Sequence, residues 1–166
     1  IAIIEEPFPE EYEADVSDIP VRLAADESAH TVEDALRRIE LGYKAIALKA
    51  IAKTLSMTMK IAQAAYEKNI PCFCADLTVS PILVDWNKNV AARLSSFPGI
   101  GDLGLLESNG HQNYRNWETM KSYHPGRNGR WIDVKNGVYE LDDEFYSSGG
   151  GIFDPVPHYE EMFKTH

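Results

Sequence analysis

The chain has 166 residues, 44% of them hydrophobic and 25% charged, a balance that suits one folded domain and excludes a disordered chain. Its 26 acidic and 16 basic side chains give a formal net charge of -10, which repels nucleic-acid phosphates and anionic membrane surfaces and leaves divalent cations as favoured partners. No run reaches the about 18 apolar residues of a membrane span, no secretory signal opens the chain, and Cys72 and Cys74, one residue apart, form no disulfide framework, so a reducing cytoplasm is the expected location.

The elements alternate. Residues 1–5 read as an apolar strand that Pro7 stops. This strand has no lead-in and no initial Met, so the chain is expected to be the latter part of a longer protein. A helical stretch is expected within residues 9–16 and a second strand over 21–25. Thr31 is an N-cap with Asp34 in the first turn, Val32, Ala35, Leu36 and Ile39 follow helical spacing, and Gly42 ends the helix. Residues 44–49 form the third strand. The long helix over 55–68 places Leu55, Met59, Ala62 and Tyr66 on or near one face, and Asn69 closes it. The fourth strand covers 72–76, a helix 81–94, a turn 98–101 and the fifth strand 103–107. Such alternation argues for parallel pairing with right-handed crossovers.

Beyond Glu107 the pattern changes. A short helix is expected around 114–120, a hairpin pairing 131–134 with 138–141 about Asn136-Gly137, and a terminal helix over 157–164. Gly149, Gly150 and Gly151 form a loop without the strand-to-helix context or lysine of a phosphate loop.

The five expected strands end in ionisable residues: Glu5, Asp26, Lys49, Asp76 and Glu107. In a parallel α/β sheet those carboxyl ends lie together, where ligands bind. One charged residue at a strand exit is unremarkable, but five in succession favour a site. Glu5 and Asp26 can supply oxygen ligands to Mg2+. Lys49 can serve as a base where burial and neighbouring charge favour its neutral form. The implied chemistry is removal of a proton beside a carboxylate.

The runs Ile4-Glu5-Glu6-Pro7, Ala24-Ala25-Asp26-Glu27-Ser28 and Ile46-Ala47-Leu48-Lys49, in that order, resemble the barrel domain of the enolase superfamily, in its mandelate racemase and muconate lactonizing branch. The resemblance implies an α/β fold: a partial (β/α)8 TIM-type barrel holding strands four to eight, followed by a C-terminal capping segment. Residues 1–109 would be a half barrel of βα units. Residues 110–166, with 131–154 most similar, would pack against an N-terminal cap domain that this chain lacks. Glu5 and Asp26 would be the second and third Mg2+ ligands and Lys49 an acid/base. Asp76 stands near where mandelate-type racemases carry a histidine base, and Glu107 near a glutamate that assists the substrate carboxylate. Lys49 and Lys53 are spaced one residue wider than the family's usual Lys-x-x-Lys.

The implied function is that of a Mg2+-dependent lyase or isomerase acting on a small carboxylate substrate through an enediolate, by racemisation, epimerisation, dehydration or cycloisomerisation. It would be a homo-oligomer, with neither nucleic acid nor membrane as partner and inactive without its N-terminal half. The alternative is a non-catalytic α/β module that self-associates through its exposed sheet edges. Strand alternation turns Glu6 and Glu27 to the opposite face from the proposed ligands, so each is expected either to support a ligand from behind or to face outward. Lys53 is expected to meet water, Cys72 and Cys74 to pack in the core, and His111, His124 and His158 to be solvated or structural.

Overall fold

Four short apolar runs pair side by side in a computed structural model that describes residues 2–75 and 78–164. They are β1 (Ile3–Glu5), β2 (Arg22–Ala25), β3 (Ala45–Leu48) and β4 (Cys72–Cys74), in the order β1-β2-β3-β4 and all parallel. The crossovers carry α1 (Val32–Glu40) and α2 (Leu55–Glu67), and α3 (Pro81–Ala91) follows β4. This is the parallel α/β fold that the alternation predicts. No helix among the described residues is long and apolar enough to cross a membrane.

Local chemistry explains the boundaries. Thr31 caps α1 in a reciprocal box with Asp34, each side chain accepting from the other's backbone N–H. Asn69, at φ 58, ends α2 in the left-handed region that asparagine tolerates. The helix expected within 9–16 is absent. Prolines at 7 and 9 and the repelling Glu10, Glu11 and Glu13 disfavour it, and the buried Arg38 guanidinium takes the carbonyls of Glu10 and Tyr12 (2.7 Å for Tyr12) that a helix would use.

The fifth strand shrinks to one parallel bridge, Cys74 to Leu106. Cys74 donates to Leu105 O (3.0 Å) and Glu107 N to Cys74 O (2.8 Å), but Leu103 O is taken by Phe97 N (2.9 Å), so the ladder stops there.

The chain forms two compact units, Ile1–Ala75 with Val90–Glu107, and Asp76–Asn89 with Ser108–His166. In the first unit one sheet face is built from Ala24, Ala45, Ala47, Phe73 and Ala75 and covered by Phe97. Phe97 meets Phe73 edge to face at 6.0 Å. The alternate residues Leu23, Ile46 and Leu48 are buried on the opposite face, where α2 packs on β3 and β4. α2 buries Thr58, Ile61 and Ala65, while Leu55, Met59 and Tyr66, on another face, are 40%, 49% and 69% exposed. Both faces of α2 carry apolar residues, and the small side chains seat closest on the flat sheet.

The second unit is organised around Trp131, 1% exposed and packed edge to face on Phe145 at 5.5 Å. It contains α4 (Gly110–Asn113), α5 (Trp117–Ser122), α6 (Asp143–Ser148) and α7 (Pro157–Lys164). The expected hairpin is only its turn: Asn136 (φ 52) and Gly137 (φ 78) are left-handed and a single antiparallel bridge joins Lys135 to Val138. A lone two-stranded ribbon is marginal in water, and Trp131 is committed to the core instead.

Candidate active site

Strand alternation assembles the site. Ala24, Ala45 and Ala47 define the inner face of the first unit's sheet. Asp26 lies two residues past Ala24 and Lys49 two past Ala47, so both return to that face where the strands end. Glu5 pairs in register with Ala24 at the end of β1. Asp26 is 2% exposed, and the Lys49 side chain 11%.

Lys49 Nζ forms an ion pair with Asp26 Oδ2 and donates to Glu27 Oε1 at 3.1 Å. Burial pulls the Lys49 pKa down, but the hydrogen bonds and charges of Asp26 and Glu27 outweigh it and hold it above the ordinary lysine value. Glu5 shows the opposite strain. Burial, a hydrogen bond shared with Asp26 and the negative charges of Asp26 and Glu107 push its pKa up to about 8, against a smaller pull from Lys49. The cluster is short of positive charge.

Glu107 adds negative charge to the cluster from the segment bridged to β4, where its N–H is held by Cys74 O. Glu5, Asp26, Lys49 and Glu107 therefore belong to one electrostatic group within the first unit. Asp76, the remaining candidate, lies outside the described residues.

Glu6 takes one of its two expected roles, support of a proposed ligand from behind, whereas Lys53 departs from expectation. Glu6 turns back toward β2, because its backbone is left-handed at φ 36. Its Oε2 accepts from Asp26 N (2.7 Å), Ser28 N (3.2 Å) and Ser28 Oγ (2.8 Å). Lys53, expected in water, has a side chain only 11% exposed; its Nζ donates to Asp26 O (2.6 Å) and Ala29 O (3.0 Å) and stands 3.6 Å from Asp26 Oδ1. Burial lowers its pKa below the ordinary value despite Asp26. Simple alternation does not reveal how either reaches this turn: Glu6 is left-handed, and Lys53 is brought back by a turn in which Ala52 N and Lys53 N donate to Lys49 O at 3.0 and 2.9 Å.

The donor set fits part of a Mg2+ shell. Asp26 Oδ1 is buried without a hydrogen-bond partner, 3.6 Å from Lys53 Nζ, and burial, reinforced by Asp26 and Glu107, favours the protonated form of the Glu5 carboxyl beside it. A hard cation beside these oxygens would relieve both. Among the described residues no group of three or more His, Cys, Asp or Glu side chains is gathered tightly enough to hold a metal by itself. Two carboxylates with water completing the shell is the way Mg2+ is commonly bound.

The other titratable candidates are structural. Burial drives the Cys72 and Cys74 thiols up to about 12. His124 is wholly buried and His158 stacks on Tyr123 with ring centres 3.6 Å apart.

No protein-family model and no curated protein matches the chain. Solved structures do. A mandelate racemase/muconate lactonizing protein from Herpetosiphon aurantiacus superposes with a TM-score of 0.54 at 23% identity, over 64% of this chain and 30% of its own. A Sorangium cellulosum protein named for the same enzymes gives 0.55 at 22% identity, over 66% of this chain and 30% of its own. The L-Ala-D/L-Glu epimerase from Bacillus subtilis gives 0.54 at 16% identity, over 68% of this chain and 32% of its own. The chain thus spans about a third of the length of these proteins, and its fold is that of part of them.

Proposed function

We propose that the chain carries part of the active site of a Mg2+-dependent lyase or isomerase that moves the α-proton of a small carboxylate substrate. The observation that carries this reading is the convergence of Glu5, Asp26 and Lys49 on one sheet face at the strand ends, in a pocket of charge that leaves Glu5 protonated and Asp26 Oδ1 unpartnered. The likeness of fold to proteins named as racemases and an epimerase supports it.

Glu5 and Asp26 would hold the metal. When bound, Mg2+ supplies positive charge beside the substrate carboxylate, where negative charge develops as the α-proton leaves. Lys49 Nζ holds its proton while Asp26 and Glu27 accept from it, and in that state it is the acid that can deliver a proton to carbon. Turning Asp26 away would remove one of the two carboxylates, with Glu27, that keep Lys49 charged, and so would weaken the opposition to burial, which favours the neutral amine that a base requires. Glu107 adds negative charge on the far side of Glu5. Asp76 is proposed as a further member on sequence grounds alone.

The test is exchange of α-protons into a panel of carboxylates in deuterated water by the full-length protein. Lys49→Ala is expected to lower exchange at least about 100-fold, the usual scale for a general acid/base, while Mg2+ binding persists. Exchange that survives Lys49→Ala at the wild-type rate would remove Lys49 from the mechanism.

A second reading has one observation in its favour: β1 is an edge strand and its Ile4 is 45% exposed. Self-association through that edge predicts a concentration-dependent sedimentation coefficient that Ile4→Lys abolishes.

A further inference from the structure

The turn that carries Asp26 is held from two sides by residues of opposite charge. On its N–H side, Glu6 Oε2 accepts from Asp26 N, Ser28 N and Ser28 Oγ at 2.7, 3.2 and 2.8 Å. On its carbonyl side, Lys53 Nζ donates to Asp26 O and Ala29 O at 2.6 and 3.0 Å. Ala29 N closes the turn on Asp26 O at 3.0 Å, and the Arg38 guanidinium reaches Ser28 O at 3.4 Å. The backbone N–H groups of Asp26 and Ser28 and the carbonyls of Asp26, Ser28 and Ala29 are thus tied to side chains from three other segments. The Asp26 carboxylate is tied differently. One oxygen meets Lys49, and the other has no hydrogen-bond partner.

From this contrast we infer that Glu6 and Lys53 are positioning residues, a two-sided clamp that fixes the Asp26–Ala29 backbone so that the Asp26 carboxylate can exchange partners without its main chain moving. The chemistry of the pair suits the task. A carboxylate accepts from several N–H and O–H donors at once, and an ammonium donates to several carbonyls; bonds to charged groups are about twice as strong as neutral ones. The cost is visible at Glu6, whose φ of 36 is a conformation that side chains seldom adopt. That strain aims its carboxylate at the turn of the next strand, where an ordinary extended residue would point away.

The value of the clamp to metal binding rests on the proposed role of Asp26; its hold on the backbone does not. The test therefore has two readouts. Amide hydrogen exchange follows Asp26 and Ser28 directly, and calorimetric titration with Mg2+ alone follows the site. Glu6→Ala is expected to speed exchange at both amides about 10-fold or more, the scale of losing one charge-assisted hydrogen bond, and to weaken Mg2+ about 10- to 100-fold. Glu6→Gln keeps an accepting oxygen and is expected to remain within about threefold of wild type in both. Lys53→Met should loosen the turn while Lys53→Arg, which retains donors, should not, so that a misfolded Lys53→Met protein still leaves a decisive pair.

Unchanged exchange at Asp26 and Ser28 in folded Glu6→Ala protein would overturn the clamp. Loosened amides with unaltered Mg2+ affinity would overturn its positioning role. If the wild-type protein takes up no Mg2+ while Glu6→Ala still loosens the turn, the clamp stands and the metal reading of the site fails.

Discussion

Each compact unit buries one aspartate against a lysine, and the two are satisfied very differently. In the second unit Asp85 is fully buried and saturated: Oδ1 accepts from Lys88 Nζ (2.7 Å) and Oδ2 from Trp131 Nε1 (3.0 Å). His124 Nε2 stands 3.0 Å from Oδ2, off the line of a hydrogen bond. Its Nδ1 accepts from Gly126 N at 2.9 Å, which leaves the ring proton on Nε2 when the imidazole is neutral. Lys88 is satisfied too, by Trp131 O at 2.6 Å and by the face of Tyr139 at 4.1 Å. In the first unit Asp26 Oδ1 accepts no hydrogen bond, has the Lys53 ammonium 3.6 Å away, and has the carboxyl of Glu5 as a neighbour. Both aspartates are buried beside a lysine, so burial and pairing alone do not separate structure from function. What separates them is hydrogen bonding: both oxygens of Asp85 accept hydrogen bonds, and Asp26 Oδ1 accepts none, which fits the ligand role proposed for it.

Substitution should widen this contrast. Asp85→Ala leaves the Lys88 ammonium and the Trp131 N–H buried without their acceptor, and is expected to cost about 3–5 kcal/mol of stability. Asp26→Ala is expected to cost about 1 kcal/mol or less, because Lys49 keeps Glu27, Lys53 keeps two carbonyls, and Glu5 is relieved of a like charge. Urea denaturation of both variants measures the gap, and equal losses would erase the distinction.

Gly150 sharpens the same point. It sits at φ 77, and a Cβ there would fall 2.7 Å from Asp85 Oδ2 and 2.8 Å from the Phe145 ring. Gly150→Ala should therefore lose about 2–3 kcal/mol through strain and displacement of the carboxylate. A loss under about 0.5 kcal/mol, the range of ordinary surface changes, would show that the Asp85 network tolerates rearrangement.

The smallest expected effect concerns pH. Glu5 is raised in the folded state from 4.5 to about 8, so between those values the native protein holds a proton that the unfolded chain has released. Its contribution is thus present below pH 4.5 and is lost as pH rises toward 8. Glu5→Gln should flatten that decline, gaining about 1 kcal/mol over wild type at pH 8.5 and almost nothing at pH 4. This figure is well below the full linkage value because Glu5 is half exposed and water screens it. Thermal unfolding at the two pH values reads it, and a larger gain at pH 4 would reverse the assigned sign.

Much of this was legible in the sequence where chemistry is local. Apolar runs bounded by proline, glycine and asparagine mark four of the strands, and Thr31 with Asp34 marks the start of α1. The charged strand ends identify Glu5, Asp26 and Lys49 because alternation carries them to one face. Legibility fails where long-range contacts decide. The Thr58, Ile61 and Ala65 face of α2 wins burial over a more apolar stripe, since the sheet accepts small side chains. Asp85 looks like any polar residue on a helix, and its Trp131 partner is 46 positions away. Glu6 reaches the Asp26 turn through its left-handed backbone, and Lys53 through a turn closed on Lys49 O, neither of which periodicity signals.

Cys72 and Cys74 lie on β4, between β3 and the bridge to Leu106, and their thiols are buried with pKa values near 12. An alkylating reagent needs a thiolate that it can reach, so in the native protein it finds almost none. The labelling rate of these cysteines therefore reports how often the sheet opens along β4. The chain carries its own chronometer for that event, placed beside the strand ends where the Asp26 site is assembled.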